Sequence, residues 1–242
     1  MGLKLMCVVA HPDDECFAFG GALALASERG IETYVICLTD GQAATNRGDA
    51  ATSAALGAMR RDEFRRSCEV LGVTHHELMD YHDGRLEFVE FPVAAGQLVE
   101  RMRRFKPDVV MTFGGDGGLN THADHMMASM LTTAAFHWSW QAKRYPEAGV
   151  PHRAKRLYYV TANFPIPDRP PPMMMPWTVT LDIRSELERK TEAFRQHVSQ
   201  APLMERTREF FERHGAEEFY VLAARADPQP ARQETDLFAG LS

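Results

Sequence analysis

The chain has 242 residues, 45% of them hydrophobic and 25% charged, with a net charge of −6; this suits one soluble α/β domain better than two. An acidic chain with no basic stripe is a poor partner for nucleic acid, and no apolar run approaches the ~18 residues of a membrane span. Cys7, Cys16, Cys37 and Cys68 form no CxxC pair, so they read as free, mostly buried thiols in a reducing compartment, and a cytoplasmic location is expected.

The chain enters a strand pattern almost at once, with neither the apolar stretch nor the cleavage site of a secretory signal. KLMCVVA (4–10) is a continuous apolar run of strand length, and 22–30 reads as a helix ending at Gly30. TYVICLT (33–39) is a second buried strand. Residues 53–72 place Leu56, Met59, Phe64, Cys68 and Leu71 at helical spacing, with Gly72 as the stop. HHELMDY (75–81) is a third strand, 93–105 a helix carrying Leu98, Met102 and Phe105 on one face, DVVMTF (108–113) a fourth strand, and 123–140 a helix. Residues 156–162 and 177–183 read as strands around a proline- and methionine-rich loop that suits a flap or an interface between copies. Ser185 with Glu188 forms a capping-box pattern opening a helix over 185–198, with Leu187, Thr191, Phe194 and Val198 on one face. Residues 219–224 close the set of strands. The expected organisation is one domain over 1–226 and a tail over 227–242.

Strands apolar on both faces and separated by helices predict a Rossmann-like three-layer α/β sandwich, with a mostly parallel central sheet and a less regular C-terminal portion. Ligands of such sheets sit beyond the carboxyl ends of the strands. HPDDE (11–15), TDGQAATNRGD (39–49), DYHDG (80–84) and GGDGGLNTHADH (114–125) each follow a strand. All four polar loops therefore fall on one edge of the sheet, whatever the strand order.

Four titratable groups beside a core are costly unless something binds them. His122 and His125 share a helix face. With His11 and the carboxylates of the first loop they supply the two imidazoles and one carboxylate of a catalytic zinc site, a set that also suits non-haem iron. Adjacent Asp13 and Asp14 rarely turn onto one ion together, so a division of labour follows: one ligates, the other takes a proton.

AHPDDE and HADH together resemble the LmbE/PIG-L family of zinc-dependent N-deacetylases acting on N-acetylglucosaminyl substrates. LTDG, RRDEFRRSCEVLGV (60–73), YHDGRL (81–86), KPDVVMTF (106–113) and KTEAFRQHVSQ (190–200) are similar to family segments in the same order, and the resemblance spans about residues 4–224. It implies one Zn2+ per chain held by His11, Asp14 and His125. It implies Asp13 as the general base, His122 as the oxyanion or leaving-group residue, and Asp124 as its acidic neighbour. Arg60 would contact substrate, and His197 would lie near the oxyanion or the sugar. The proline usual in the second motif is Ala123 here, which leaves every polar group in place. The partner implied is a small N-acetylated amino-sugar; thiol-cofactor biosynthesis through N-acetylglucosaminyl-malate, antibiotic tailoring and chitooligosaccharide deacetylation are family routes to one.

His82, Asp83 and Arg47 are further candidates for the pocket wall, against the commoner reading of solvated loop residues. Trp138, Trp140 and Trp177 suit packing better than sugar stacking. A thiol-sugar conjugate amidase of the same family is the first rival function. A non-haem iron protein is the second, although its usual fold is β-rich. A nucleotide-binding module is the third, and the first loop lacks G-x-G-x-x-G. A homo-oligomer is compatible with the chain.

Overall fold

The apolar run after the N-terminus forms β1 (Lys4–Val9), and its five residues from Leu5 to Val9 have no exposed surface. A strand buried on both faces needs helices above and below it, and the chain supplies them by alternation. In the computed structural model, which describes residues 2–164, 173 and 175–241, β1 is followed by the short α1 (Asp14–Phe17), α2 (Gly20–Glu28) and β2 (Glu32–Thr39). α3 (Ser53–Leu71), β3 (His75–Tyr81), α4 (Phe91–Phe105), β4 (Val109–Phe113), α5 (Ala123–Trp138) and β5 (Arg156–Thr161) continue the pattern. β6 (Val179–Asp182), α6 (Leu187–Arg195), α7 (Ala201–His214) and β7 (Glu217–Arg225) complete it.

The seven strands lie in the order β3-β2-β1-β4-β5-β7-β6. β1 to β5 are mutually parallel and β7 runs antiparallel between β5 and β6. α2, α3 and α6 pack together, as do α4 and α5, so helices form one layer on each side of the sheet. This is the expected three-layer sandwich, with the irregularity confined to its C-terminal third. The chain leaves β1 toward β2 and β3, then returns to β4 and β5 on the other side. That reversal opens a crevice at the carboxyl ends of β1 and β4, where α/β sheets bind ligands.

α2 starts at Gly20–Gly21, beneath a buried carboxylate. Glu218 accepts the amide hydrogens of Gly21 and Ala22 at 2.7 and 2.9 Å, and the Lys190 ammonium and the Tyr220 hydroxyl, each at 2.7 Å. A Cβ at Gly21 would come within 2.5 Å of the Ile183 side chain. The helix N-terminus that a nucleotide phosphate would occupy is thus filled from within the chain, which counts against the nucleotide-binding rival.

The C-terminal third departs locally from the expected elements. The capping box at Ser185 does not form: residues 184–186 make a 3-10 turn, and α6 begins after Glu186 with no side-chain cap. Because α6 stops at Arg195, Val198 falls outside its apolar face and is 64% exposed. Residues 201–214 are helical, an element beyond those the sequence pattern predicts; Pro202 sits in the first turn, where its missing N–H leaves no bond unmade. The segment expected as a tail is docked. Glu234 exchanges backbone hydrogen bonds with Thr178 and Thr180 beside the edge strand β6, and Leu237 and Phe238 are buried. The loop expected as a flap lies outside the described residues over 165–172 and at 174.

Candidate active site

Ala10 to Asp13 form the turn between β1 and α1, and Asp14 and Glu15 open that helix. The His11 amide donates to Asp14 Oδ2 at 2.8 Å, folding that carboxylate back over the strand end. Asp13 between them has φ 107° and ψ −25°. This left-handed conformation costs a non-glycine residue about 1–3 kcal/mol and persists only where surrounding contacts enforce it.

The second half of the site follows β4. Gly117 has φ 95°, and a Cβ there would stand 2.1 Å from the Asn120 carbonyl oxygen, so only glycine fits. Its own carbonyl faces His125 Nδ1 at 3.3 Å, and the His125 ring stacks on Phe113 with centroids 4.1 Å apart. His122 caps α5: its Nδ1 accepts the Asp124 amide hydrogen at 3.2 Å.

These turns bring His11, Asp14 and His125 together, each buried, with one donor atom apiece within 4.8 Å of the others. His125 Nε2 lies 3.2 Å from Asp14 Oδ1, and His11 Nδ1 lies 3.5 Å from Asp14 Oδ2. Outer contacts assign the tautomers. His11 Nε2 faces Asp83 Oδ1 at 3.0 Å and Asp124 Oδ2 at 3.1 Å, so it carries a proton and leaves Nδ1 as the free donor. His125 Nδ1–H points at the Gly117 carbonyl, leaving Nε2 free. Two imidazole nitrogens and a carboxylate, oriented by a ring of acceptors, match the donor set of a first-row divalent cation.

The buried carboxylates and imidazoles of the site perturb one another strongly. Burial alone would raise the Asp14 carboxyl, but the His125 and His11 imidazoles hold it well below its ordinary value. Burial would lower His11, but Asp124, Asp14 and Asp83 raise it well above the usual imidazole range. Burial pushes Asp13 up to about 6, against the pull of Arg60 and with the push of Asp14. Burial, with His11 and His125 nearby, lowers His122 and so favours its neutral form. With Nδ1 accepting from the backbone, its proton sits on Nε2.

Asp124 binds more than His11. Its carboxylate accepts the Gly84 and Leu86 amide hydrogens at 2.6 and 3.1 Å, tying the loop after β3 to α5. Asp83 accepts the Ala43 amide at 3.1 Å and ties in the loop after β2. All four polar loops thus converge on His11. Arg60, on α3 and 3% exposed, donates to Asp13 Oδ2 at 3.1 Å, to the Gly41 carbonyl at 3.0 Å and to the Pro12 carbonyl. Gly41, with φ 65°, leaves the room this needs, since a Cβ there would meet the guanidinium at 2.2 Å.

The remaining candidates stand further out. The His197 side chain has no exposed surface and binds Glu15 Oε1 through Nε2 at 2.7 Å, so it presents nothing to the crevice. His82 is exposed with Nδ1 on the Asp83 carbonyl, and Arg47 is half-buried without a side-chain hydrogen bond among the described residues. Trp138 packs on Phe91 and Tyr145, as a core residue does. Glu15, one of the four titratable groups of the first loop though given no role there, is bonded to Ser67 at 2.6 Å; both are 0% exposed, and Ser67 is the part of the site that sequence reasoning misses. Ser67 shares the buried α3 stripe with Arg60, Glu63 and Phe64, and a polar residue on an apolar stripe is the signal that could have found it.

Residues 6–136 match the family model PIG-L: GlcNAc-PI de-N-acetylase. A mycothiol S-conjugate amidase from Streptomyces coelicolor is 30% identical over 65% of this chain, which spans 60% of that protein's length. A 1D-myo-inositol 2-acetamido-2-deoxy-alpha-D-glucopyranoside deacetylase from Rhodococcus opacus is 27% identical over 98% of both chains. Among solved structures, an N,N'-diacetylchitobiose deacetylase from Pyrococcus horikoshii superposes with a TM-score of 0.74 at 23% identity, over 90% of this chain and 82% of that one, a likeness of fold.

Proposed function

This chain belongs to the PIG-L family of GlcNAc-PI de-N-acetylases, and on that premise we propose that it is a zinc-dependent N-deacetylase. Its substrate is an N-acetylglucosaminyl small molecule or conjugate, and its products are acetate and a free amine. The observation that carries the reading is the convergence of His11, Asp14 and His125, each with its outer nitrogen or oxygen engaged and one donor left free. That donor set fits Zn2+, held by His11 Nδ1, one Asp14 oxygen and His125 Nε2. When bound, the ion supplies Lewis acidity toward the amide carbonyl and acidity to water.

The chain's own residues do the rest. Asp13 takes the proton of the attacking water, in a position fixed by Arg60 at 3.1 Å and by its own turn. His122 donates Nε2–H to the oxygen on which negative charge develops; its ring centroid lies 4.7 Å from that of His11. As the carbon–nitrogen bond breaks, the proton held on Asp13 passes to the departing amine. Arg60 is too buried to bind sugar directly, so its role is to hold Asp13. Asp83 and Asp124 keep His11 in one tautomer.

The 30% identity to the S-conjugate amidase favours a second reading: the same chemistry on a larger acyl group. Four free buried cysteines support a reducing compartment, and with it the cytoplasm; no helix among the described residues is long and apolar enough to cross a membrane. The test is release of acetate and of a free amine by zinc-loaded protein from N-acetylglucosamine, its inositol and malate conjugates and N,N'-diacetylchitobiose, and release of a free glucosamine amine from a thiol-sugar S-conjugate. Stoichiometric acetate from any of them supports the deacetylase. Cleavage of the S-conjugate alone selects the amidase, and no cleavage of any overturns both.

A further inference from the structure

Asp13 is held by more than Arg60. Its amide hydrogen points inward, to Glu15 Oε2 at 2.9 Å, and its carbonyl accepts the Cys16 thiol at 3.1 Å and the Phe17 amide at 2.9 Å. Glu15 is itself fixed at its other oxygen, where Oε1 accepts the Ser67 hydroxyl at 2.6 Å and His197 Nε2 at 2.7 Å. Glu15, Ser67 and His197 come from α1, α3 and the turn after α6, and none is more than 1% exposed. Two side-chain donors therefore converge on one buried carboxylate whose remaining bond reaches the backbone of the single residue with a φ of 107° in this turn.

We propose that Glu15, fixed by Ser67 and His197, is the positioning residue of the site, a clamp that keeps Asp13 in its left-handed conformation and so aims its carboxylate into the crevice. The inference rests on the deacetylase reading for its catalytic consequence alone; the clamp itself is a statement about this backbone. It also gives His197 a task that its burial permits. The ring works through Glu15 and Asp13 without touching substrate. Left-handed geometry at a non-glycine residue relaxes toward ordinary φ unless a specific bond opposes it. Releasing the amide of Asp13 would let the peptide turn, and a displacement of about 1 Å at a reacting group costs on the order of 10²-fold in rate.

The decisive comparison is Glu15→Gln made in two backgrounds. The substituted amide side chain keeps the volume and one acceptor oxygen but offers the wrong group to one of its donors. In the wild-type background kcat falls about 10²-fold with KM within about threefold and zinc content unchanged. In Asp13→Ala, where no base remains to be aimed, the same change alters the residual single-turnover rate less than about twofold. Ser67→Ala, which removes one support, gives an intermediate loss with the same dependence on Asp13. An equal loss in both backgrounds, loss of the metal, or full activity of Glu15→Gln overturns the proposal. Amide hydrogen exchange at Asp13 tests the clamp independently of turnover. It is slow in the wild type and accelerates in both Glu15→Gln and Ser67→Ala; unchanged exchange also overturns the proposal. If the wild type cleaves nothing while exchange responds, the clamp stands and the deacetylase reading is the one that fails.

Discussion

Substitution of Asp13 separates two properties that the site combines in one residue. Its carboxylate is the proposed proton acceptor, and its backbone occupies φ 107°. Ala, Gly and Asn all remove the base, so each should lower kcat by about 10³-fold, equivalent to about 4 kcal/mol in the barrier. Their stabilities should differ. Alanine inherits the left-handed strain of about 1–3 kcal/mol, glycine escapes it, and the greater freedom of glycine in the unfolded chain returns about 0.4–1 kcal/mol. Asp13→Gly is therefore more stable than Asp13→Ala by about 1 kcal/mol, or about 2–4 °C in melting temperature for a chain of this size. Asn tolerates the same geometry and keeps a hydrogen bond to Arg60, so it melts at or above the glycine variant. Acetate release and thermal melts on the three proteins decide the matter. An alanine variant that outlasts the glycine one removes the strain argument. Any of the three retaining more than about a tenth of wild-type kcat removes the base assignment.

Asp124→Asn deprives His11 Nε2 of one carboxylate and weakens the hold on Gly84 and Leu86; zinc affinity should drop about 10–100-fold in a chelator competition, and an unchanged affinity would exclude the orienting role. Lys190→Met leaves the Glu218 carboxylate buried without its cation, so urea unfolding should show a loss of about 3 kcal/mol, and a loss below about 1 kcal/mol would mean that the two helix amides and Tyr220 suffice. For the Glu15–His197 pair the sign of the pH effect follows from both groups. His197 is raised above its ordinary 6.5, burial opposing and Glu15 prevailing, so its contribution is full below that value and fades as pH rises through the elevated one. Glu15 is lowered from 4.5, burial again opposing and His197 prevailing, so its contribution is full above that value and fades as pH falls through the lowered one. The stability gap between wild type and His197→Gln should be widest between about 4.5 and 6.5 and narrow on either side; a gap independent of pH would contradict the ion pair.

The parallel sheet was readable because β1, β2 and β4 are apolar on both faces, a pattern that only a sheet covered on both sides produces. The convergence of the first and fourth loops followed from the same alternation, since every parallel strand ends on the same edge. Partner choice across the chain was not readable. His197 lies 182 positions from Glu15, and Asp124 lies 113 from His11; no periodicity encodes such contacts. Ser67 looks like an ordinary member of a helix face until packing sets it against Glu15. The Ser185 cap fails because a cap is a local preference of about 1 kcal/mol, and residues 184–186 take a 3-10 turn ahead of α6 instead. Residues 201–214 carry a helical face built from Thr207 and Phe211, but the helix packs on α6 and the preceding 3-10 turn, which the strand-and-helix alternation does not specify.

X-ray absorption at the zinc edge, on protein loaded with one equivalent of Zn2+, tests the metal centre most directly. The account predicts a first shell of nitrogen and oxygen at about 2.0–2.2 Å with the outer scattering of two imidazoles, reduced to one in His125→Ala. A sulfur neighbour at about 2.3 Å, pointing to Cys16, or a spectrum unchanged by His125→Ala, would contradict it.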